Sequence, residues 1–221
     1  MIRRFRNRTE AGQELAKKLS AYTNQPDVIV LALPRGGVPV AFEVAKALNV
    51  PLDLCLVRKL GVPRQEELAM GAIGRGGVMV LNQEVVQGLG LSEDTINAVA
   101  VRERQELARR DRVYRANRPI PDPYNRTIIL IDDGIATGST LRAAIATLQA
   151  QEPKAIVVAV PVAPLSTCNK LQEDVAEVVC LATAEPFYAI GQWYDDFSQT
   201  PDEEVCHLLQ RSTQRPATQS R

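Results

Sequence analysis

The sequence predicts an α/β fold: an open, mostly parallel, twisted sheet flanked by helices. Three observations carry that expectation. Short, β-branched apolar runs (Val28–Leu33, Leu52–Val57, Ile128–Ile131, Ala155–Val160 and Val178–Ala182) have the length and composition of buried parallel strands. Helical patterns fall between most of them, the alternation that builds a sheet covered on both faces. Turns of small or hydroxylated residues follow the first run and the Ile128 run, where such a fold holds its ligands.

Residues 9–20 carry Ala11, Leu15, Ala16 and Leu19 at helical spacing, with Thr9 as the expected N-cap. Arg3, Arg4, Arg6 and Arg8 precede them and read as a solvated basic end, a contact with substrate phosphates being the alternative. The Val28 run leads into Pro34-Arg35-Gly36-Gly37 and a helix from about Pro39 to Leu48. Paired glycines let backbone N–H groups approach a ligand, and Arg35 can fork onto phosphate oxygens.

Leu52–Val57 ends in Arg58-Lys59, two cations expected at a strand's carboxyl end and facing the ligand crevice. Gly61–Ala69 then reads as a loop that could close over a reaction, with Arg64 as its cation. Gly71–Gly77 contains a G-x-x-G pattern but leads into the strand-like Val78–Leu81, so a hairpin fits better than a dinucleotide loop. Ser92 opens a long charged helix with Glu93 and Asp94 in its first turn, running towards Arg118 and stopped by P-I-P-D-P. Its arginines (102, 104, 109, 110, 112 and 115) alternate with Glu103, Glu106 and Asp111, the pattern of a solvated ion-paired face or a subunit contact.

The most informative stretch is Thr127–Thr140, T-I-I-L-I-D-D-G-I-A-T-G-S-T. A tight turn of small residues at a helix N-terminus presents backbone N–H groups with the positive end of the helix dipole behind them, an anion site suited to phosphate. Thr137, Ser139 and Thr140 can add hydroxyl donors. Asp132 and Asp133 are poor company for a phosphate but good acceptors for sugar hydroxyls. A ligand with a phosphate at one end and a vicinal diol nearby fits both halves.

This stretch resembles the 5-phosphoribosyl-1-pyrophosphate (PRPP) signature of the type I phosphoribosyltransferases. The resemblance implies that Ala136, Thr137, Gly138, Ser139 and Thr140 hold the 5-phosphate and that Asp132 and Asp133 hold the ribose hydroxyls. It makes Pro34–Gly37 a pyrophosphate loop with a cis peptide between Pro34 and Arg35, and assigns Arg35, Gly36, Gly37, Arg58, Lys59 and Arg64 to pyrophosphate. Asp132, Asp133, Arg35 and Lys59 become the catalytic set. The segment E-P-F-Y-A-I-G-Q-W-Y-D-D-F is similar to the 6-oxopurine branch's hood, implying base contacts from Tyr188, Phe187 and Trp193 and an acidic position near Mg²⁺ at Asp195. The implied hood spans about 183–200 within a single domain 1–210, followed by a flexible tail at 211–221. The 6-oxopurine enzymes carry an aspartate where this chain has Ala136, which argues against hypoxanthine-guanine activity and leaves the base unnamed.

The implied reaction moves the phosphoribosyl group of PRPP to a nitrogenous base, releasing pyrophosphate with Mg²⁺, in a cytoplasmic homodimer. A PRPP- or nucleotide-sensing protein of the same fold is the alternative, and a hydrolase using Asp132 as nucleophile a third class. Composition narrows the rest. Lys+Arg and Asp+Glu are equal at 26, so no global field favours nucleic acid or an anionic membrane. No apolar run approaches the roughly 20 residues of a membrane span, and none reads as a leader. Cys55, Cys168, Cys180 and Cys206 lack metal-ligand spacing and read as reduced core thiols. A single histidine, His207, excludes a multi-histidine metal site. A capping box at Thr200-Pro201-Asp202-Glu203 opens a last helix through Leu209.

Overall fold

The computed structural model describes residues 4–115, 121–183 and 185–213. Five parallel strands form the main sheet: β1 (Val28–Ala32), β2 (Leu52–Leu54), β6 (Thr127–Ile131), β7 (Ala155–Ala163) and β8 (Glu177–Thr183), in the order β2-β1-β6-β7-β8. β1 and β6 pair in register from Val28–Thr127 to Ala32–Ile131. All five residues of each are buried, which is why these runs read as continuously apolar.

Alternate residues feed two cores. Val28, Val30 and Ala32 pack with α1 (Arg8–Lys18), α2 (Gly37–Leu48), α4 (Glu93–Arg115) and α7 (Asp202–Thr213). Ile29 and Leu31 pack on the other face with α5 (Ser139–Gln149) and α6 (Leu165–Leu171). The connection after β1 therefore crosses one face towards β2, and the connection after β6 crosses the opposite face towards β7. The strand order reverses between β1 and β6, so their carboxyl ends open a crevice at the topological switch point.

A second sheet, β3 (Val57–Val62), β4 (Gln65–Gly74) and β5 (Met79–Leu81), is antiparallel. The expected hairpin at Gly71–Gly77 is its β4–β5 connection, closed by a 3₁₀ turn over Arg75–Gly77. The run Leu52–Val57 is two elements rather than one strand. Pairing with β1 runs through Leu54 to a last bond from the Cys55 N–H to Ala32 O (2.8 Å), and pairing with β4 starts at Val57. On the outer edge of β2, Asp53 takes the Leu54 N–H (2.7 Å) and pairs with Arg115 (2.6 Å), which also donates to the Leu54 carbonyl (3.2 Å). Cys55 and Leu56 stay buried beyond the break, which hid it in the apolar pattern.

Smaller departures have local causes. Asn7, not Thr9, caps α1, its side chain accepting from the Glu10 N–H (3.0 Å). A short helix, α3 (Gln83–Gly88), capped by Asn82, was not expected. α4 starts as expected, with Ser92 Oγ accepting from the Thr95 N–H, but its face is not simply solvated, because Glu103 and Arg115 are buried. α7 extends past Leu209 to Thr213, and Arg211 lies over the Phe42 ring at 5.0 Å. Cys55 and Cys168 are core residues as expected, while Cys180 and Cys206 are half-buried. The expectations for Arg3, the helix end at Arg118 and the tail beyond Thr213 lie outside the described residues.

Candidate active site

The loop after β6 carries the acids and the anion turn. Asp132 leaves the strand half-buried, and Asp133 is buried at 8% exposed. The chain turns through Gly138, whose φ of 74° is the left-handed conformation glycine tolerates best, and enters α5 at Ser139. The N-cap Gly138 has no side chain to cap this helix. Of the first-turn amides, the Ser139 N–H donates to Thr137 Oγ1 at 3.5 Å, a long bond that leaves the turn beside the hydroxyls of Thr137, Ser139 and Thr140 suited to an anion. A hollow of about 190 Å³ lies over them, lined by Asp132, residues 134–141 and Ile190.

The loop after β1 packs against this one. The Pro34–Arg35 peptide is cis, as expected. A β-carbon on Gly36 would overlap Asp133 Oδ2, and one on Gly37 would stand 2.8 Å from the Ile131 carbonyl. The glycines therefore let this loop lie flat on the acidic strand end. Gly37's own N–H is used inside the turn, donating to Leu33 O (3.1 Å), so the contribution left to Gly37 is close approach rather than an amide for a ligand.

Arg58 and Lys59 are in the crevice, though not at a strand's end: they lie inside β3, opposite Ile73 and Ala72. With Leu33, Pro34 and Thr140 they line a cavity of about 400 Å³. Thr140 belongs to both hollows, so the anion turn and the basic cavity meet there. Arg58 donates to Glu103 Oε2 (2.7 Å), and Arg35 pairs with Asp202 (3.4 Å), which also accepts from the Tyr114 hydroxyl (2.8 Å). Burial, then this hydrogen bond, pushes the Tyr114 phenol up to about 12.

The expected loop at Gly61–Ala69 is instead the β3–β4 hairpin, bulged at Gly61, with Arg64 exposed at its tip in a left-handed conformation (φ 68°). The aromatic segment folds mainly on itself. Phe187 stacks on Trp193 (6.3 Å between centroids), Tyr194 stacks on Phe197 (5.1 Å), and Tyr188 is 77% exposed. Asp195 is exposed and forms an ion pair with Arg4 (3.5 Å).

Sequence reasoning missed what holds the acids. Arg8 is not a solvated end: its side chain is 11% exposed, its Nε meets Asp133 Oδ2 at 2.8 Å, and its guanidinium lies over Phe197 at 4.1 Å. The Tyr194 hydroxyl donates to the Asp133 carbonyl (2.6 Å). Phe5 and Tyr194 form a parallel bridge, with the Phe5 N–H donating to Trp193 O and the Asp195 N–H to Phe5 O, both at 2.8 Å. A basic run before an amphipathic helix carries no sign of a partner 125 residues away. Burial, and secondly the charge of Asp133, holds the Asp132 carboxyl well above its ordinary range, while Arg8 pulls it the other way.

Among the described residues no group of three or more His, Cys, Asp or Glu side chains is placed to hold a metal ion, and no helix is long and apolar enough to cross a membrane. A metal resident on protein ligands alone does not fit this donor set.

A parallel sheet whose strand order reverses between two loops, one an acid pair with a glycine turn at a helix N-terminus and the other a flat glycine loop, is the arrangement of a phosphoribosyltransferase-type domain. The chain belongs to the phosphoribosyl transferase domain family, whose model matches residues 1–194. It is 47% identical over 208 residues, 94% of its length, to the Mycobacterium tuberculosis protein "Putative phosphoribosyl transferase Rv0571c", and equally to its counterpart MT0597 from strain CDC 1551. The chain spans about half (47%) of the length of these curated relatives. The crystal structure of TT1426 from Thermus thermophilus is similar with a TM-score of 0.86 and 40% identity, covering 94% of this chain and 98% of that one.

Proposed function

We propose that the chain transfers the 5-phosphoribosyl group of PRPP to a nitrogenous base, releasing pyrophosphate. The observation that carries this reading is the meeting of the two hollows at Thr140. One hollow offers the first-turn amides of α5, of which the Ser139 N–H is held only by a long bond to Thr137 Oγ1 (3.5 Å), together with Asp132, suited to a sugar 5-phosphate and its diol. The other offers Arg58 and Lys59, suited to a leaving pyrophosphate.

Between them an oxocarbenium-like ribose would form. Asp132 lies where positive charge develops on the ring, and fixed charges there stabilise that state without reorganising. Arg58 and Lys59 would balance the charge gathering on the departing group, and Arg35 could join them by exchanging Asp202 for a phosphate oxygen. Mg²⁺ would arrive bound to PRPP and add charge neutralisation at the pyrophosphate. A nitrogen nucleophile completes the displacement, so no covalent enzyme intermediate is needed. The base would enter beside Ile190 and the exposed Tyr188, while Phe187 and Trp193 shape the segment by stacking on each other. A homodimer remains part of this proposal.

Pyrophosphate release from PRPP, measured against a panel of purine, pyrimidine and other nitrogen heterocycles with Mg²⁺, tests the reading. The expected result is release that depends on both PRPP and one base class. The pairing of Arg35 and Arg58 with the protein's own carboxylates favours a second reading, a PRPP sensor, and saturable PRPP binding without turnover on any base would select it.

A further inference from the structure

We infer that α4 forms part of the pyrophosphate subsite, with Arg102 and Arg110 as binding residues for a pyrophosphate-class anion. This rests on the reading of Arg58 and Lys59 given above. Neither arginine belongs to the PRPP-like loop, the glycine loop or the basic pair of β3.

The cavity of about 400 Å³ is walled on one side by α4. Its charged lining is Arg58, Lys59, Arg102 and Arg110 against Glu66 and Glu103, two more cations than carboxylates. The volume is on the order of a dozen water shares of roughly 30 Å³, room for a pyrophosphate and a hydrated counterion. Thr140 lines the same cavity, so an anion there is continuous with the 5-phosphate turn.

Glu103 gives this wall its geometry. It is 5% exposed. Its Oε2 accepts from Arg58 Nε (2.7 Å) and its Oε1 from Arg102 Nε (3.1 Å), so one buried carboxylate joins a β3 guanidinium to an α4 guanidinium. Two positive groups held together at a cavity mouth are what a doubly charged oxyanion needs, because each can present a planar fork to phosphate oxygens. Arg110 lies two turns further along α4, steadied by Glu106 (2.7 Å). Arg104, on the same helix and exposed like Arg102, does not line the cavity. The charged alternation on α4 thus has a functional side, where a solvated face would give every arginine the same standing.

Calorimetric titration of the full chain with magnesium pyrophosphate and, separately, with ribose 5-phosphate tests this. Arg102→Gln and Arg110→Gln are each expected to weaken pyrophosphate binding about tenfold, the scale of a lost charged hydrogen bond. Arg104→Gln, which removes the same charge from the same helix, is expected to leave it unchanged, and all three are expected to bind ribose 5-phosphate as wild type does. Wild-type-like pyrophosphate binding in both variants would overturn the inference; so would equal losses in all three, or absence of pyrophosphate binding by the wild type. If pyrophosphate binding follows this pattern while no base supports turnover, the transferase reading fails and the α4 subsite stands.

Discussion

Gly36 lies so close to Asp133 that no side chain fits between them: a β-carbon there would overlap Oδ2 and sit 2.6 Å from Cγ. The backbone of Gly36 is ordinary right-handed helix (φ −60°, ψ −33°), so a substitution meets a purely steric obstacle. Gly36→Ala is expected to cost about 1–3 kcal/mol by overpacking and to abolish turnover by displacing the acid. Gly88→Ala, with nothing within 4 Å, should leave both unchanged. Thermal melts and a pyrophosphate-release assay check the pair.

The two acids are expected to respond oppositely to amidation. Asp132 has its folded-state pKa raised, so its ionised form opposes folding at pH above that value, and the opposition fades as pH falls through it towards the unfolded value of about 4. Asp132→Asn should raise the melting temperature near pH 8, with the gain shrinking under acid, while turnover drops by about 10²-fold. A melting temperature unchanged at both ends of the pH range would contradict this.

Asp133 is tied to Arg8, and breaking a buried pair from one side leaves a charge without its partner. Arg8→Met should cost about 3–5 kcal/mol. In a denaturant-melt cycle, the Arg8→Met/Asp133→Asn double variant should be more stable than the sum of the two single losses predicts. Simple additivity would show that the pair contributes nothing of its own.

Tyr194→Phe removes the hydroxyl donated to the Asp133 carbonyl while keeping the ring buried. The loss is expected to be about 1–3 kcal/mol, the cost of leaving a buried acceptor unsatisfied. Phenol titration should not occur below about pH 10 in the wild type, since burial pushes this group upward.

Thr140 is exposed, so Thr140→Val should change stability by no more than about 0.5 kcal/mol. Because Thr140 lines both hollows, the variant's KM for PRPP should rise about tenfold. An unchanged KM would separate the two hollows functionally.

Much of the sheet was legible because β1, β6 and β7 are buried on both faces and therefore apolar without interruption. The β2 break was not, since the chain changes partner from β1 to β4 while Cys55 and Leu56 stay buried, and a change of partner leaves no mark in an apolar run. At the site, the Asp-Asp run and the glycine turn stood out as local signals, each dictated by its own backbone. Arg8, Glu103 and Tyr194 did not: their importance comes from which distant residue they reach, and burial of a lone arginine or glutamate leaves no trace in its neighbours. The aromatic cluster was visible as composition, but composition could not say that Phe187 and Trp193 would face each other.

The bridge between Phe5 and Tyr194 makes the chain's first described residues a strap across its aromatic segment, anchored one turn later by Arg8 beneath the acid pair. Trimming residues 5–8 would therefore take from Asp133 its Arg8 partner and unpin the aromatic segment, and, on the function proposed above, bulky fusions ahead of Phe5 would bear on base entry. A variant library for altered acceptor choice should accordingly vary Phe5 and Arg4 together with Tyr188 and Ile190.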